Sequence, residues 1–481
     1  MSTVEGDWRM LIGGELVDAE DRATVETHSP ATGQLLARVP AASPADVDKA
    51  VTAAATALDE WRNLAPRQRA DRLRRLAAVL AQHREELGRL DALDGGNPVT
   101  AMTRDVDLAC ELVNCFADWA DHLEGRAPAG SREHVHYTRR EPYGVVARLV
   151  PYNHPIMFAA SRIAAPLLAG NTVVLKAPDQ TPLSALRMGA LVADLLPPGV
   201  LNILTGPGAT VGQALIRHPQ VRRIAFTGSV PTGQAVLQGA AASGIKAVSL
   251  ELGGKNPMVV LADADPAAAA AGAVAGMNFH WTGGQSCGST SRLLVHRSLV
   301  NEIVERVAEL VRAIRVGDPL DPATEMGTMV SPEHRDRVVG YIEQGRAEGL
   351  RLVTGGGAPG PGAYVEPTVF ADVPPASRLA QEEIFGPVLV VTPFDDEREA
   401  VRLVNDSPFG LTASIWTRDV GRAHRLAHEV QAGYVWVNTA SRHFAGLPFG
   451  GVKDSGLGRE ESVEELLSFT QQKAITIHIG V

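Results

Sequence analysis

The stretch that decides the fold reads IAFTGSVPTGQAVLQGAAASGIKAVSL and spans residues 224–250. It begins with the short apolar run Ile224–Phe226, continues into the helical pattern Gly233–Ala241, and ends in the apolar run Ala247–Leu250. A strand, a helix and a second strand in this order predict parallel strands joined by a crossover helix. The turn Phe226–Gly233 places a helix N-terminus directly after a strand, where unpaired N–H groups can bind a phosphate.

The same alternation of apolar runs and helical periods continues on both sides of this stretch. Upstream, the predicted strands are Val145–Val150, Thr172–Leu175 and Val200–Leu204, and the predicted helices are Ile156–Leu168, Pro182–Leu195 and Gly212–His218. Downstream, the predicted strands are Pro257–Leu261, Leu293–His296, Gly386–Val391, Thr412–Trp416 and Tyr434–Asn438, and the predicted helices are Asp265–Met277, Leu299–Ile314 and Glu397–Asn405. The pattern predicts an α/β fold, with a doubly wound Rossmann-like cofactor domain followed by a second α/β domain.

Composition limits the class of protein and its partners. The 481 residues are 45% hydrophobic and 21% charged, which is typical of a soluble globular protein with two or three domains. The formal net charge is −10 and no block of Lys or Arg occurs, so we expect neither nucleic acid nor a membrane as partner. Residues 1–5 lack the features of a signal peptide, and three cysteines are too few for a disulfide framework. We therefore predict a cytoplasmic protein with reduced thiols and without a metal site.

Two glycine-rich segments carry candidate chemistry. Cys287 lies in Gly283-Gly284-Gln285-Ser286-Cys287-Gly288, whose uncrowded backbone lets a substrate carbon approach the thiol. Glu251 begins Glu251-Leu252-Gly253-Gly254-Lys255 and can act as a base on a second glycine-rich turn. The other two cysteines, Cys110 and Cys115, fall in an apolar helical pattern and are predicted to be buried packing residues.

These two segments together resemble the catalytic pair of the NAD(P)-dependent aldehyde dehydrogenase superfamily, and the resemblance runs from about Trp8 to about Gln472. It implies that Cys287 is the nucleophile and that Glu251 is the general base for thioester hydrolysis. It also implies that the side-chain amide of Asn153, in Pro151-Tyr152-Asn153, stabilises the oxyanion together with the Cys287 backbone N–H. The predicted catalytic set is Cys287, Glu251, Asn153 and Lys176.

The resemblance also implies a cofactor site. It assigns the turn Phe226–Gly233 to the pyrophosphate and Lys176 to the adenosine ribose. Asp179 stands where NAD-preferring members commonly have glutamate, and its charge should repel a 2′-phosphate, so we expect NAD rather than NADP. Glu383 would bind the nicotinamide ribose and Phe385 would pack near the ring. The predicted cofactor residues are Val150, Pro151, Tyr152, Lys176, Pro178, Asp179, Gly208, Phe226, Gly228, Ser229, Leu252, Gly253, Glu383 and Phe385.

The same resemblance implies domain boundaries and an assembly into subunits. We predict residues 1–122 and 142–252 as the NAD-binding domain and residues 253–445 as the catalytic domain. Residues 123–141 and 460–481 contain two stretches that alternate like exposed strands, and isolated strands need a partner. In the resembled family such strands form an oligomerisation arm, so we expect a homodimer or homotetramer.

Projection of the family's tunnel predicts the substrate pocket. The predicted pocket residues are His154, Phe158, Ser161, Met277, Trp281, Ser286, Arg442, His443 and Phe449. Many relatives have tryptophan where Ser161 falls, so the pocket is expected to be wider there. Its apolar side chains favour a medium-chain or aromatic aldehyde. Arg442 and His443 fit either an acidic substrate tail or solvated positions.

The predicted function is NAD-dependent oxidation of an aldehyde to the carboxylic acid through a Cys287 thiohemiacetal and thioester. The alternatives are a semialdehyde dehydrogenase for an acidic substrate, a thiol hydrolase in which a histidine such as His280 serves Cys287, and a non-enzymatic binding protein. A CoA-acylating dehydrogenase is a further alternative, although that type typically lacks the glutamate found here at Glu251.

Overall fold

The computed structural model describes residues 4–480, and its first unit is built on an eight-stranded sheet. Across the sheet the strands lie in the order Glu15–Val17, Met10–Ile12, Leu201–Leu204, Thr172–Lys176, Val145–Leu149, Val221–Thr227, Ala247–Glu251 and Gly456–Leu457. The strands from Leu201–Leu204 to Ala247–Glu251 are parallel. Because the chain changes direction across the sheet between Val145–Leu149 and Val221–Thr227, a topological switch point lies there, where open parallel sheets bind ligands.

The second unit is built on a seven-stranded sheet. Its strands lie in the order Arg351–Thr354, Thr368–Ala371, Val388–Phe394, Arg292–His296, Pro257–Val260, Thr412–Trp416 and Tyr434–Val437. Only Arg351–Thr354 is antiparallel to its neighbour. Two short ladders complete the sheets, one joining Thr24–His28 to Leu35–Pro40 and one joining Phe409–Gly410 to Val452–Lys453.

Helices cover both sheets and begin where their sequences favour it. The first starts with a reciprocal cap, in which Ser43 N donates to Asp46 Oδ2 at 2.8 Å and Asp46 N donates to Ser43 Oγ at 3.3 Å. The helices are Pro44–Asn63, Pro66–Gln82, Arg84–Gly95, Val99–Asp118, Pro155–Leu168, Leu183–Val192, Gln213–Arg217, Val230–Ala242, Pro266–Gly276, Phe279–Thr282, Val300–Arg312, Pro332–Ala347, Arg378–Gln381, Glu397–Asn405, Val420–Glu429 and Val463–Ser468. Short 3₁₀ or π turns cover Trp119–His122, Gly208–Gly212 and Arg297–Leu299.

The arm is a two-stranded antiparallel ribbon formed by His134–Pro142 and Thr470–His478. The sequence predicts two isolated strands here, and the structure pairs them with each other over their whole length. The predicted arm segment 460–481 differs from the structure at its start. The helix Val463–Ser468 packs on the first unit, where Leu466 and Phe469 are buried in the main hydrophobic core.

The alternation of strands and helices in the sequence predicts this α/β architecture correctly, with element ends displaced by a few residues. The missed strands lie at the sheet edges or next to them: Met10–Ile12, Glu15–Val17 and Gly456–Leu457 in the first sheet, Arg351–Thr354 and Thr368–Ala371 in the second. Cys110 and Cys115 are half-buried rather than fully buried. No helix within residues 4–480 is long and apolar enough to cross a membrane.

Candidate active site

Cys287 lies on a loop that the second unit holds in place from several sides. Asn256 Nδ2 donates to the Cys287 carbonyl at 2.7 Å and to the Ser289 carbonyl at 2.9 Å. The Gln285 side chain accepts from Val330 N at 2.9 Å and donates to the Thr282 carbonyl at 3.0 Å. Gly284 has a φ of +76°, and a Cβ there would collide with the Gly386 carbonyl, which explains the glycine. The thiol therefore stands on a rigid loop.

The thiol of Cys287 is held in its neutral form. Burial, and then the negative charge of Glu251, raise the pKa of Cys287 to about 12. The backbone N–H of Cys287 makes no hydrogen bond within residues 4–480. A thiol whose neutral form is favoured becomes a better nucleophile when a nearby base takes its proton.

Glu251 is the last residue of the strand Ala247–Glu251 and is almost completely buried. Neither of its carboxylate oxygens has a hydrogen-bond partner among the described residues. Burial and then the negative charge of Glu460 raise the pKa of Glu251 well above its usual range. A carboxyl group with a raised pKa and free oxygens is, once ionised, a stronger base than an ordinary carboxylate.

Asn153 follows the strand Val145–Leu149 at the switch point, and it lines the same cavity as Cys287. Its backbone carbonyl accepts from Asn97 Nδ2 at 3.2 Å, which fixes the loop. Its side-chain Oδ1 is buried without a partner, and its side-chain amide donates to no residue in the range 4–480. The amide is therefore free to donate to an oxyanion.

A buried ion-pair cluster borders the cavity of Cys287 and was not predicted from the sequence. Arg148 Nη2 contacts Glu460 Oε1 at 2.8 Å and Glu465 Oε1 at 3.2 Å. Arg162 Nη2 lies 3.1 Å from oxygens of both Glu460 and Glu461. Burial alone would raise the pKa of Glu461, but His443 and Arg162 lower it to about 2. Removal of one member of such a cluster would leave a buried charge without its partner.

The substrate cavity has a volume of about 300 Å³ and opens beside Cys287. Most of the predicted pocket residues line it: His154, Phe158, Trp281, Ser286, Arg442, His443 and Phe449. Two do not. Ser161 is fully buried and donates to the Met157 carbonyl at 2.6 Å, so it cannot widen the cavity. Met277 is fully buried in the core of the second unit.

One wall of the cavity comes from the helix Val99–Asp118, which the sequence presented as a packing helix. Arg104, Leu108 and Leu112 line the cavity from this helix. Their spacing of four residues places them on one face, and that is the signal that could have revealed the wall. Met157 and Ala445 also line the cavity and were not predicted.

The predicted cofactor residues of the first unit lie at or just after the carboxyl ends of its parallel strands. Lys176 ends its strand and pairs with Asp179, whose Oδ2 accepts from Gly208 N at 3.1 Å. Ser229 caps the helix Val230–Ala242 and leaves that helix N-terminus facing the crevice side of the sheet. The residues Val150, Pro151 and Tyr152 follow the strand Val145–Leu149, Pro178 follows Thr172–Lys176, and Phe226 and Gly228 lie at the end of Val221–Thr227. A carboxylate, a lysine and a helix N-terminus at these strand ends fit a dinucleotide.

The second unit closes the crevice from the opposite side. Glu383 Oε1 accepts from Gly254 N at 3.0 Å, and a Cβ on Gly253 would collide with the same carboxylate. Burial raises the pKa of Glu383 to about 7. Phe385 has a φ of +57°, unusual for a bulky residue, and its ring packs edge-on against Tyr152 at 5.9 Å. Leu252 is buried where the two units meet, and its N–H donates to the Ser455 carbonyl at 2.9 Å.

This fold and this thiol–carboxylate pair define an aldehyde-oxidising class of enzyme, and comparison with known proteins gives the same class. The model of the Aldehyde dehydrogenase family matches residues 16–475. Aldehyde dehydrogenase tropH of Talaromyces stipitatus is 46% identical over 467 residues, covering 95% of this chain and 90% of that protein. Phenylacetaldehyde dehydrogenase of Pseudomonas fluorescens is 43% identical, covering 98% of this chain and 95% of that protein.

Solved structures agree with the sequence relatives. The NAD+ complex of an aldehyde dehydrogenase from Bacillus cereus superposes with a TM-score of 0.96 at 37% identity, covering 100% of this chain and 97% of that one. The chain belongs to the aldehyde dehydrogenase family, and it is an aldehyde dehydrogenase. The family assignment and the fold class made from the sequence are thereby confirmed.

Proposed function

We propose that this aldehyde dehydrogenase uses NAD to oxidise an aromatic or medium-chain aldehyde to the acid through a thioester on Cys287. The observation that carries the proposal is the arrangement around one cavity. Cys287 and Asn153 line it, and the buried carboxylate of Glu251 acts electrostatically on the thiol. These are the nucleophile, the oxyanion donor and the base that the reaction requires.

In the first half of the reaction, the sulfur of Cys287 attacks the carbonyl carbon and its proton passes to Glu251. The Asn153 amide and the Cys287 backbone N–H donate to the oxygen as it becomes negative. Lys176, Asp179 and Glu383 would hold NAD, which would supply the acceptor for the hydride that leaves the carbon.

In the second half, Glu251, which has first released the thiol proton to solvent, takes a proton from water, and that water attacks the thioester carbon. The carbon–sulfur bond then breaks, the acid leaves, and the Cys287 sulfur takes the proton back from Glu251. The exposed His280 does not line the cavity of Cys287, which disfavours a thiol hydrolase that relies on that histidine.

Aromatic substrates are favoured by the chemistry of the cavity walls. Phe158, Trp281 and Phe449 line it, and Met157 adds a flexible apolar side chain. One relative is a phenylacetaldehyde dehydrogenase, and a Pseudomonas syringae structure with a TM-score of 0.96 is an indole-3-acetaldehyde dehydrogenase. His443 Nδ1 lies 2.9 Å from Glu461 Oε2, so a carboxylate of the chain already occupies this side of the imidazole, which disfavours an acidic substrate there.

The test is NADH formation with purified enzyme over aromatic, aliphatic, amino and carboxylated aldehydes, with and without CoA, ranked by kcat/KM. We expect aromatic or medium-chain aldehydes to exceed acetaldehyde and betaine aldehyde, without a need for CoA. A sharp preference for a carboxylated semialdehyde would assign Arg104 or Arg442 to anion binding instead. NADH formation that requires CoA would contradict the hydrolytic second half.

We expect a preference for NAD over NADP in kcat/KM because of Asp179. Its carboxylate lies beside Lys176 and its side chain is 45% exposed, so it would repel the negative charge of a 2′-phosphate. Replacement of Asp179 by serine keeps a hydrogen-bonding group and removes the charge. The ratio of NAD to NADP kcat/KM should fall by about tenfold, the scale of one like-charge contact. Wild-type preference for NADP would show that this residue is misassigned.

We expect the arm to join subunits into a dimer or tetramer. Its ribbon has two free edges and exposes Val135, Ile477 and Ile479. Deletion of residues 473–479 should lower the mass measured by light scattering, with circular dichroism as the check that the chain remains folded. An unchanged mass, or a monomeric wild type, would contradict this role.

A further inference from the structure

Asp105 is a completely buried carboxylate behind the aromatic wall of the cavity. It lies on the helix Val99–Asp118, and each of its oxygens accepts from a different pocket ring. Oδ2 lies 2.7 Å from His154 Nδ1, and Oδ1 lies 2.8 Å from Trp281 Nε1. One carboxylate therefore fixes two side chains that line the cavity.

The two rings are fixed by packing as well as by these hydrogen bonds. The centroids of His154 and Trp281 are 5.1 Å apart with an interplanar angle of 84°, an edge-to-face contact. Phe158 makes a second edge-to-face contact with His154 at 5.6 Å. The guanidinium of Arg104 lies 4.6 Å from the centre of the Trp281 ring. Together these contacts fix the orientation of the His154 ring at the cavity wall.

The hydrogen bond to Asp105 also decides which nitrogen of His154 carries the proton. A carboxylate only accepts, so Nδ1 must donate to it, and a neutral imidazole then keeps an acceptor at Nε2. Nε2 has no hydrogen-bond partner within residues 4–480 and is not among the buried unpartnered atoms, while His154 lines the cavity. The site therefore presents an acceptor at His154 Nε2 beside the apolar rings of Phe158 and Trp281.

We infer that the cavity selects aromatic aldehydes with a ring hydroxyl, whose O–H donates to His154 Nε2, and that Asp105 is the positioning residue for this contact. The inference rests on the proposed function and adds the substrate class to it. An acceptor in an apolar pocket costs free energy when a bound ligand leaves it unpaired. A substrate without a donor should accordingly bind less well in the transition state.

The first test measures kcat/KM for benzaldehyde, for its three monohydroxy isomers and for the matching methoxy ethers. The ether keeps the oxygen and removes the donor. We expect one hydroxy isomer to exceed its methoxy partner by about tenfold, the scale of one hydrogen bond. His154→Phe keeps an aromatic ring without nitrogen, and it should bring this hydroxy-to-methoxy ratio close to that of the isomers that do not reach the histidine.

Asp105→Asn provides a sharper test, because Trp281 dictates how the new amide is oriented. Trp281 Nε1 can only donate, so it retains the amide oxygen, and the amide nitrogen then faces His154 Nδ1. Nδ1 must accept, and the proton moves to Nε2, which becomes a donor. The hydroxy-to-methoxy ratio should therefore fall by about tenfold, since both oxygens can accept but only the hydroxyl can donate.

Trp281→Phe is the matched control, since it keeps the contact between Asp105 and His154 and should keep the hydroxyl preference. In the double variant Asp105→Asn with Trp281→Phe, the amide is free to turn its oxygen to His154, so the preference should return. A purely structural role for Asp105 would lower kcat/KM for every substrate and leave the ratio unchanged, which would overturn the inference.

The outcomes also separate this inference from the proposed function. Equal kcat/KM for hydroxy and methoxy aldehydes, with benzaldehyde still oxidised, would overturn the inference and leave the dehydrogenase intact. A preference for carboxybenzaldehyde over every hydroxy isomer would show that His154 acts as a cation, and it would also overturn the inference. If no aldehyde yields NADH, the proposed function fails and the inference fails with it.

Discussion

Cys287→Ala is expected to abolish NADH formation while the fold and NAD binding remain. The thiol is the atom that forms the covalent bond, and no other cysteine in the chain lines the cavity described around it. Loss of a covalent nucleophile lowers kcat on the order of 10⁵–10⁶-fold. Steady-state turnover, with NAD binding followed by calorimetry, measures both parts of the result.

Cys115→Ala is the matched control. It removes a half-buried thiol that does not line the cavity, from the helix Val99–Asp118, and should retain wild-type kcat. Substantial turnover by Cys287→Ala would contradict the covalent route, and loss of activity in both variants would indicate a general effect of removing thiols.

Glu251→Gln is expected to separate the two halves of the reaction. The amide keeps the shape of the side chain and removes the base, which should slow deacylation by roughly 10²–10⁴-fold. If Glu251 mainly activates water, NADH should form in a pre-steady-state burst and an acyl-enzyme should accumulate, visible by mass spectrometry. If it also deprotonates Cys287, the burst itself should slow and a higher pH should partly restore it.

The pH dependence of kcat provides an independent test of the role of Glu251. A base must be deprotonated to act, and burial together with Glu460 raises the pKa of Glu251. The wild-type kcat should therefore rise as the pH rises through that raised pKa, and Glu251→Gln should lose this limb. Glu305→Gln, at an exposed carboxylate, is the control. Full steady-state activity in Glu251→Gln would leave the carboxylate a structural group at the junction of the two units.

The sequence was most informative for residues that lie in short motifs of consecutive residues. Cys287, Glu251 and Asn153 each sit in a glycine- or proline-containing segment at the end of an element, so short motifs locate them. The strand–helix alternation likewise predicts both parallel sheets. The sequence pattern therefore locates the loops that carry the reactive groups. Such loops are held in place by the rigid strands and helices on either side.

The walls of the site were harder to predict because they depend on contacts between distant segments. Asp105 reaches His154 across 49 residues and Trp281 across 176, and nothing near it in the sequence indicates a pocket. Ser161 was expected to line the cavity, and it does not do so for a local reason. Its hydroxyl bonds back to the Met157 carbonyl within the same helix, so its side chain fills the helix groove instead of the cavity.

The short strand Gly456–Leu457 has a consequence for the order in which the enzyme can be made. It pairs with Ala247–Glu251, the strand that ends in the catalytic base, and Glu460 and Glu465 follow it to meet Arg148. During synthesis, the first unit emerges with an unpaired sheet edge and buried guanidinium groups that still lack their carboxylates. Some two hundred further residues, including the whole second sheet, must leave the ribosome before residues 456–465 can complete it. An interrupted chain thus carries Cys287 without the finished surroundings of Glu251, which are completed only when synthesis is almost over.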